Sequence, residues 1–268
     1  MVKLFTKSFE KKEILNFELK EILDELWLRY DNLDFIEADP ISVPHSFEGQ
    51  LDREVSGFLA ATIAWGNRKA IVKSAHRMMD YLDRAPYDFV VGASEREIRG
   101  LASYVHRTFN GEDLTCFVRA LGRMCREYGS LGEWFQSDWE RRGDMRLVLR
   151  DFREEFFALD HPARSEKHLS SIAKGAACKR LNMYLRWMVR PDVRGVDFGY
   201  WRRIPASALY LPLDLHSGNM ARELGLLERK QNDWKAVEEV TAHLREADAE
   251  DPVKYDFALF GVGINKGM

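Results

Sequence analysis

Apolar residues recur at steps of three and four along almost the whole of this chain, and nowhere do they alternate for the length of a strand. That period belongs to amphipathic helices, which must bury one stripe against each other. From Glu10 to about Tyr30 it is carried by Ile14, Leu15, Phe17, Leu19, Ile22, Leu23, Leu26 and Leu28, set between lysines and glutamates. Leu51 to Trp65 has Leu51, Val55, Phe58, Leu59 and Ile63 on one side, while Gly57, Ala60, Ala61 and Ala64 let a second helix approach closely. Gly66-Asn67 interrupts the pattern and Arg68 to Leu82 resumes it. Further helices are expected at about Ser94 to Thr108, Leu114 to Tyr128, Asp144 to Phe157, Ala176 to Val189, Leu215 to Leu224, Trp234 to Glu246 and Pro252 to Gly261. Between the first two helices, DNLDFIEADPISVPHSFEGQ holds two prolines and no sustained period. It reads as a loop of about 20 residues, a length often associated with function. With no internal repeat, the expected class is all-α.

A chain of 268 residues with 46% hydrophobic content can bury a full core. Its 40 basic and 43 acidic residues leave a net charge of −3, so any surface for nucleic acid has to be a local patch. Cys116, Cys125 and Cys178 form no C-x-x-C pair and lack ligand spacing, which argues against a disulfide framework or a cysteine-bound zinc or iron–sulfur site. The start, MVKLFTKSFEKKEILNFELKEIL, is charged throughout, and no stretch approaches the ~18 consecutive apolar residues of a membrane span. A cytoplasmic protein without a membrane partner is expected.

The local patch is found at residues 178–190, CKRLNMYLRWMVR. As a helix, Leu181, Leu185 and Met188 make an apolar row, and Lys179, Asn182, Arg186 and Arg190 make a polar row opposite. Between residues 171 and 210, eight Lys or Arg stand against two Asp. Such a face is either a solvated rim whose arginine stems cover apolar surface or a surface that meets phosphate. Downstream, YLPLDLHSGNMARELGL places Asp214 where a helix needs an N-cap, with Gly225 closing the helix. A capping carboxylate is held rigidly and kept ionised, so capping and electrostatic catalysis are compatible roles.

ACKRLNMYL followed by PLDLHSGNMARELGL resembles the core of the helix-hairpin-helix DNA glycosylase superfamily, in its endonuclease III branch. There a hairpin L-P-G-V-G-x-K-T-A-N-x-V precedes V-D-T-H-x-x-R. The resemblance puts Lys179 on the catalytic lysine, Asn182 on the asparagine of the K-x-x-N helix, Asp214 on the catalytic aspartate and His216 two residues after it. SGFLAATIAWGNRKAIVKSAHRMM resembles the early helix pair whose turn wedges into DNA, which sets Gly66, Asn67 and Arg68 near a duplex. The chain also resembles an uncharacterised bacterial family, a domain of unknown function, marked by CKRLNMYLRWMVR and LDLHSGNMARELGL.

The hairpin stretch AKGAACK keeps Gly175 but has Lys174 where the superfamily has proline and Ala177 where it has the second glycine. Those glycines let backbone amides approach phosphate. The 35 residues from Lys179 to Asp214 exceed the usual interval and include PDVRGVDFGYWRRIPASA, a stretch able to carry substrate contacts.

The resemblance implies a two-lobed helical fold; the iron–sulfur cysteines of many of its members are absent here, so no such cluster, metal or other cofactor is expected. Residues 1–50 and 205–268 would form one lobe, and 51–204 the other, with a degenerate hairpin near 173–179. It implies removal of a damaged, extruded base from DNA by Lys179 and Asp214, and RNA is an open alternative as the polymer. A lysine attacks as the free amine, a form that desolvation or nearby positive charge favours, and Arg180 and Arg186 would supply that charge. Arg186, Arg190 and Arg202 would meet phosphates, and Trp201 would stack on the extruded base. A nucleic-acid-binding protein without catalysis, or a structural or protein-interaction domain, are the other readings the residues allow.

Overall fold

The computed structural model describes residues 18–191 and 193–265. The expected first helix is present as α1 over 18–30, and its residues 10–17 lie outside the described ones. The long loop after it is not irregular. It contains two short helices, α2 (Asp34–Ala38) and α3 (Ser42–His45), and buries Ile41 and Val43. Then come α4 (Gln50–Thr62), α5 (Arg68–Tyr81), α6 (Pro86–Gly92), α7 (Glu95–Gly100), α8 (Gly111–Tyr128), α9 (Leu131–Arg142) and α10 (Met145–Phe156). After a stretch of 3₁₀ turns the chain forms α11 (Lys179–Val189), α12 (Leu215–Glu223), α13 (Trp234–Ala247) and α14 (Asp256–Asn265). Among the described residues the class is all-α, apart from one two-stranded hairpin of β1 (Val105–His106) and β2 (Phe109–Asn110).

That hairpin corrects the expected helix from Ser94 to Thr108. Ile98, Leu101 and Val105 keep helical spacing, but α7 ends at Gly100 and Val105 then pairs with Asn110, and His106 with Phe109. Asn110 closes the hairpin and starts α8, accepting from the amide of Asp113 at 3.2 Å while the Asp113 carboxylate accepts from the amide of Asn110. The reciprocal cap satisfies amides at both ends of the junction.

α4 is the hub. Glu54 to Thr62 are all buried, and α11 crosses it at Gly57, where any Cβ would stand 2.8 Å from the Met188 methyl. The glycine is what permits this approach. Around the crossing lie Phe58, Phe117, Phe135, Phe152, Phe156, Tyr184 and Trp201, each under 2% exposed. Glu54, 1% exposed, is tolerated in this core because Gln50, the Gly132 amide and the Trp201 indole all donate to its carboxylate.

The segment after α11, expected to carry substrate contacts, instead folds back over the helix end. The Phe198 and Trp201 amides donate to the carbonyls of Trp187 and Met188 at 2.7 and 3.0 Å, satisfying acceptors a helix terminus leaves open. Its Asp197 lies between Arg186 and Arg190. Further contacts bring α1 and α2 against the C-terminal helices: Tyr255 donates to Asp24 at 2.8 Å, and Phe35 meets Phe257 edge-on at 5.0 Å.

Candidate active site

Lys179 is the first residue of α11 and Asp214 is the N-cap of α12. The two oxygens of the Asp214 carboxylate have separate tasks. Oδ1 accepts from the Ser217 amide at 2.9 Å and from its hydroxyl at 3.1 Å, while Oδ2 stands 3.6 Å from the Lys179 amine. The Ser217 hydroxyl also accepts from the Asp214 amide at 2.9 Å, which completes a capping box, and Asn232 donates to the Asp214 carbonyl. A carboxylate pinned through its cap in this way presents its second oxygen in a fixed direction. Lys179 keeps 29% of its side chain exposed and Asp214 keeps 18%, so the pair is open to an incoming molecule.

α11 begins without a side-chain cap. Cys178 is in the left-handed region (φ 48°) and its thiol, pushed up to about 12 by burial, turns toward the Ser170 carbonyl. The first amides of α11 therefore have no side-chain acceptor, and the positive end of its dipole lies at the residue that bears the amine.

Two buried acids surround the pair. Burial raises the Asp256 carboxyl to about 6, with the Asp214 charge adding to the rise and Arg186 and Lys179 opposing it. Burial likewise raises Asp39, against the pull of Arg68, the Ile41 amide, Arg186 and Lys179. Arg68 stands 3.6 Å from Asp39 and 4.5 Å over the ring of half-buried Phe260, whose ring also lies 6.5 Å from that of exposed His216. Arg68, Phe260 and His216 are thereby linked beside Lys179 and Asp214. Asn67, exposed, caps α5 by accepting from the Ala70 amide at 3.1 Å.

Four of the expected site residues are not available to a substrate. Arg186 and Arg190 were placed on a polar row facing phosphate, yet each is only about 3% exposed in its side chain. Arg186 pairs with Asp197 and Asp256, and Arg190 pairs with Asp31, Asp197 and Asp251 at 3.1, 3.0 and 2.8 Å. The polar row is real, but it faces buried carboxylates. Trp201, expected to stack on a base, is fully buried, stacked on Phe135 at 5.0 Å with its indole donating to Glu54 at 3.0 Å. Arg202 beside it is exposed.

Asn182 is also buried, and its amide donates to the Ala177 carbonyl at 3.2 Å, which ties the first turn of α11 to the loop before it. That loop differs from the expected hairpin. A 3₁₀ turn, Ile172–Lys174, stands where the first α-helix of such a motif belongs. Gly175 is exposed with φ 76°, and its carbonyl accepts from the Trp234 amide at 3.0 Å, while Ala176 bridges to Asp233.

A family model described as a protein of unknown function, DUF2400, matches residues 39–265. The chain belongs to that family. No curated protein and no solved structure matches it. In this DUF2400 chain the matched span contains Lys179, Asp214, Asp39, Arg68, Asp256 and Phe260, while Asp31 precedes it. Asp39, Asp256 and Phe260 were not singled out from the sequence. The two acids sit in stretches that read as loop and as apolar helix, and only their burial beside Lys179 distinguishes them. Among the described residues no cluster of three His, Cys, Asp or Glu could hold a metal, and no helix is long and apolar enough to cross a membrane.

Proposed function

We propose that Lys179 and Asp214 are the catalytic pair of a DNA glycosylase with lyase chemistry. One observation carries this reading: the uncapped carboxylate oxygen of Asp214 points at the Lys179 amine across 3.6 Å, with both groups partly open to solvent. A nucleophile beside an oriented acid is the arrangement that covalent catalysis needs.

In this scheme the Lys179 amine gives up its proton, for which the Asp214 carboxylate is the neighbouring acceptor, and attacks C1′ of an extruded nucleotide. The C1′–N bond breaks and the base leaves with its bonding electron pair, taking up a proton. Opening of the C1′–O4′ bond then gives a protonated Schiff base on Lys179. Loss of a C2′ proton expels the 3′ phosphate, and water returns the free lysine. Asp214 stabilises the positive charge that builds on the sugar, a role suited to a carboxylate fixed by its own helix. Extrusion costs a few kcal/mol, less where a base is damaged or mispaired.

Borohydride traps the Schiff base. Incubated with oligonucleotides bearing uracil, 8-oxoguanine, an alkylated base or an abasic site, the protein is expected to form a covalent adduct with at least one of them, and Lys179→Gln to form none. Equal trapping by Lys179→Gln removes the lysine from the mechanism.

The second reading, nucleic-acid binding without catalysis, draws on the loop before α11. There the Gly175 carbonyl accepts from the Trp234 amide at the start of α13, and Ala177 stands where a glycine would let phosphate approach. Salt-sensitive binding with no adduct on any of the four substrates would favour it.

A further inference from the structure

A groove of about 790 Å³ runs between α5 and the β1–β2 hairpin, lined among others by Trp65, Asn67, Lys73, Arg77, Val105 and Arg107. We propose that this groove is a track for the phosphate backbone of a nucleic acid.

α5 presents Lys69, Lys73 and Arg77 at four-residue steps, all exposed. Residues so spaced share one helix face. At 1.5 Å per residue they span about 12 Å, the rise of roughly three to four nucleotides of one strand. Facing them, Arg107 occupies the turn of the hairpin with φ 55° and packs its guanidinium against Gly66 (φ 96°), filling the place a Cβ would take. Arg77 donates to the Val105 carbonyl and lies 5.3 Å over the Tyr104 ring, so it joins the hairpin to α5 without losing its charge to a carboxylate.

The charges on this wall are not cancelled. Among the described residues Lys69, Lys73, Arg77 and Arg107 form no ion pair, and the one acid lining the groove, Asp80, is held by Arg84 at 2.7 Å. The histidines there do not add to it, because burial lowers both His76 and His106 and keeps them neutral at pH 7. In a chain of net charge −3 this is a local concentration of positive charge.

Nucleic acid fits better than a membrane surface. Val105, 53% exposed, is the large apolar side chain that the hairpin offers, too little for insertion into lipid. The groove also leads toward the candidate site: Arg180, the residue after Lys179, lies 5.1 Å over the ring of Trp65 in the groove wall. A strand held here would reach the start of α11. The inference deepens the proposed function but does not need Lys179 to be a nucleophile.

The test is equilibrium binding of the full chain to an undamaged 20-base-pair duplex and to a single strand, across a salt series. Each phosphate contact contributes about 0.9 to the slope of log K against log salt on duplex and about 0.7 on single strands. The triple variant Lys69→Gln/Lys73→Gln/Arg107→Gln is expected to lower the slope by roughly 2 to 3 and to weaken binding at low salt at least tenfold. Because these side chains are exposed and unpaired, its unfolding midpoint should match that of the parent, and the single variant Lys73→Glu provides the same readout with one change. An unchanged slope in both variants, or binding of the parent to phosphatidylserine vesicles and to neither oligonucleotide, overturns the proposal. Neither outcome depends on adduct formation, so the groove and the Lys179 chemistry fail separately.

Discussion

The two ends of α11 carry the same kinds of charged group and use them in opposite ways. At its C-terminal end Arg186 and Arg190 are about 3% exposed and share Asp31, Asp197, Asp251 and Asp256. At its N-terminal end Lys179 meets one carboxylate oxygen at 3.6 Å and remains 29% exposed. Charges withdrawn from water must be matched by partners, and the match then acts as a fastener: this knot ties α1, α11, the segment after α11 and the start of α14 into one body. A charge left half in water is held only loosely by its partner and can engage something else.

The largest effect should come from breaking the knot. Arg190→Ala would leave three acids around an empty position, and loss of one partner of a buried pair costs about 3–5 kcal/mol. Urea unfolding should show a loss of that size. A loss under about 1 kcal/mol would mean that water reaches these acids and that the contrast between the two ends is false.

A smaller effect concerns Asp256, which belongs to the knot through Arg186 and feels Asp214 and Lys179 on its other side. Its folded value, raised to about 6 by burial, lies above the ordinary carboxyl range. The native state then binds the proton more tightly than the unfolded one between about pH 4 and pH 6. Its contribution to stability must fall as pH rises through that window and level off above it. Asp39 and Asp251, also raised by burial, act in the same sense, while Asp24, Asp144, Asp151, Asp233 and Asp248 are lowered and act in the opposite one. The observable is therefore the difference between the parent and Asp256→Asn. Stability of the parent minus that of the variant should decline from pH 4 to pH 6, and a flat difference would remove the acid from this role.

The same contrast explains what was legible in the sequence. Helical periodicity reports which face is apolar, so the all-α class and the capping position of Asp214 could be read directly. It does not report what the other face meets. Lys179, Asn182, Arg186 and Arg190 follow one polar row, yet the row runs from half-exposed at Lys179 to buried at Arg190 because Asp197, folded back from the segment just after α11, and Asp31 and Asp251, from distant chain, meet its end. Trp201 was misread for a related reason: flanked by Arg202 and Arg203 it has the look of surface, but its buried acceptor, Glu54, lies 147 residues away. The approach of Lys179 to Asp214 has no local signature either, since it arises from how the starts of two helices 35 residues apart are set against each other. Only the family resemblance linked them in advance. The β1–β2 hairpin was hidden because Ile98, Leu101 and Val105 keep a helical interval across an α7 that stops at Gly100.

The smallest effects are at the exposed end, and they decide whether the pair is chemistry or architecture. Asp214→Ala removes an N-cap and should cost about 1 kcal/mol, whereas Asp214→Asn keeps the cap and should cost a few tenths at most. The carboxamide has no charge to offer the lysine, so Asp214→Asn should be folded like the parent yet deficient in adduct formation. A double-mutant cycle combining Lys179→Gln with Asp214→Asn isolates the direct coupling between the two groups. For a pair this exposed, the expected coupling in urea unfolding is below about 1 kcal/mol. A coupling of 3 kcal/mol or more would place Lys179 and Asp214 with the arginine knot, as one more fastener, and the distinction between the two ends of α11 would be lost. A small coupling with a large loss of trapping is the combination that only a functional pair produces.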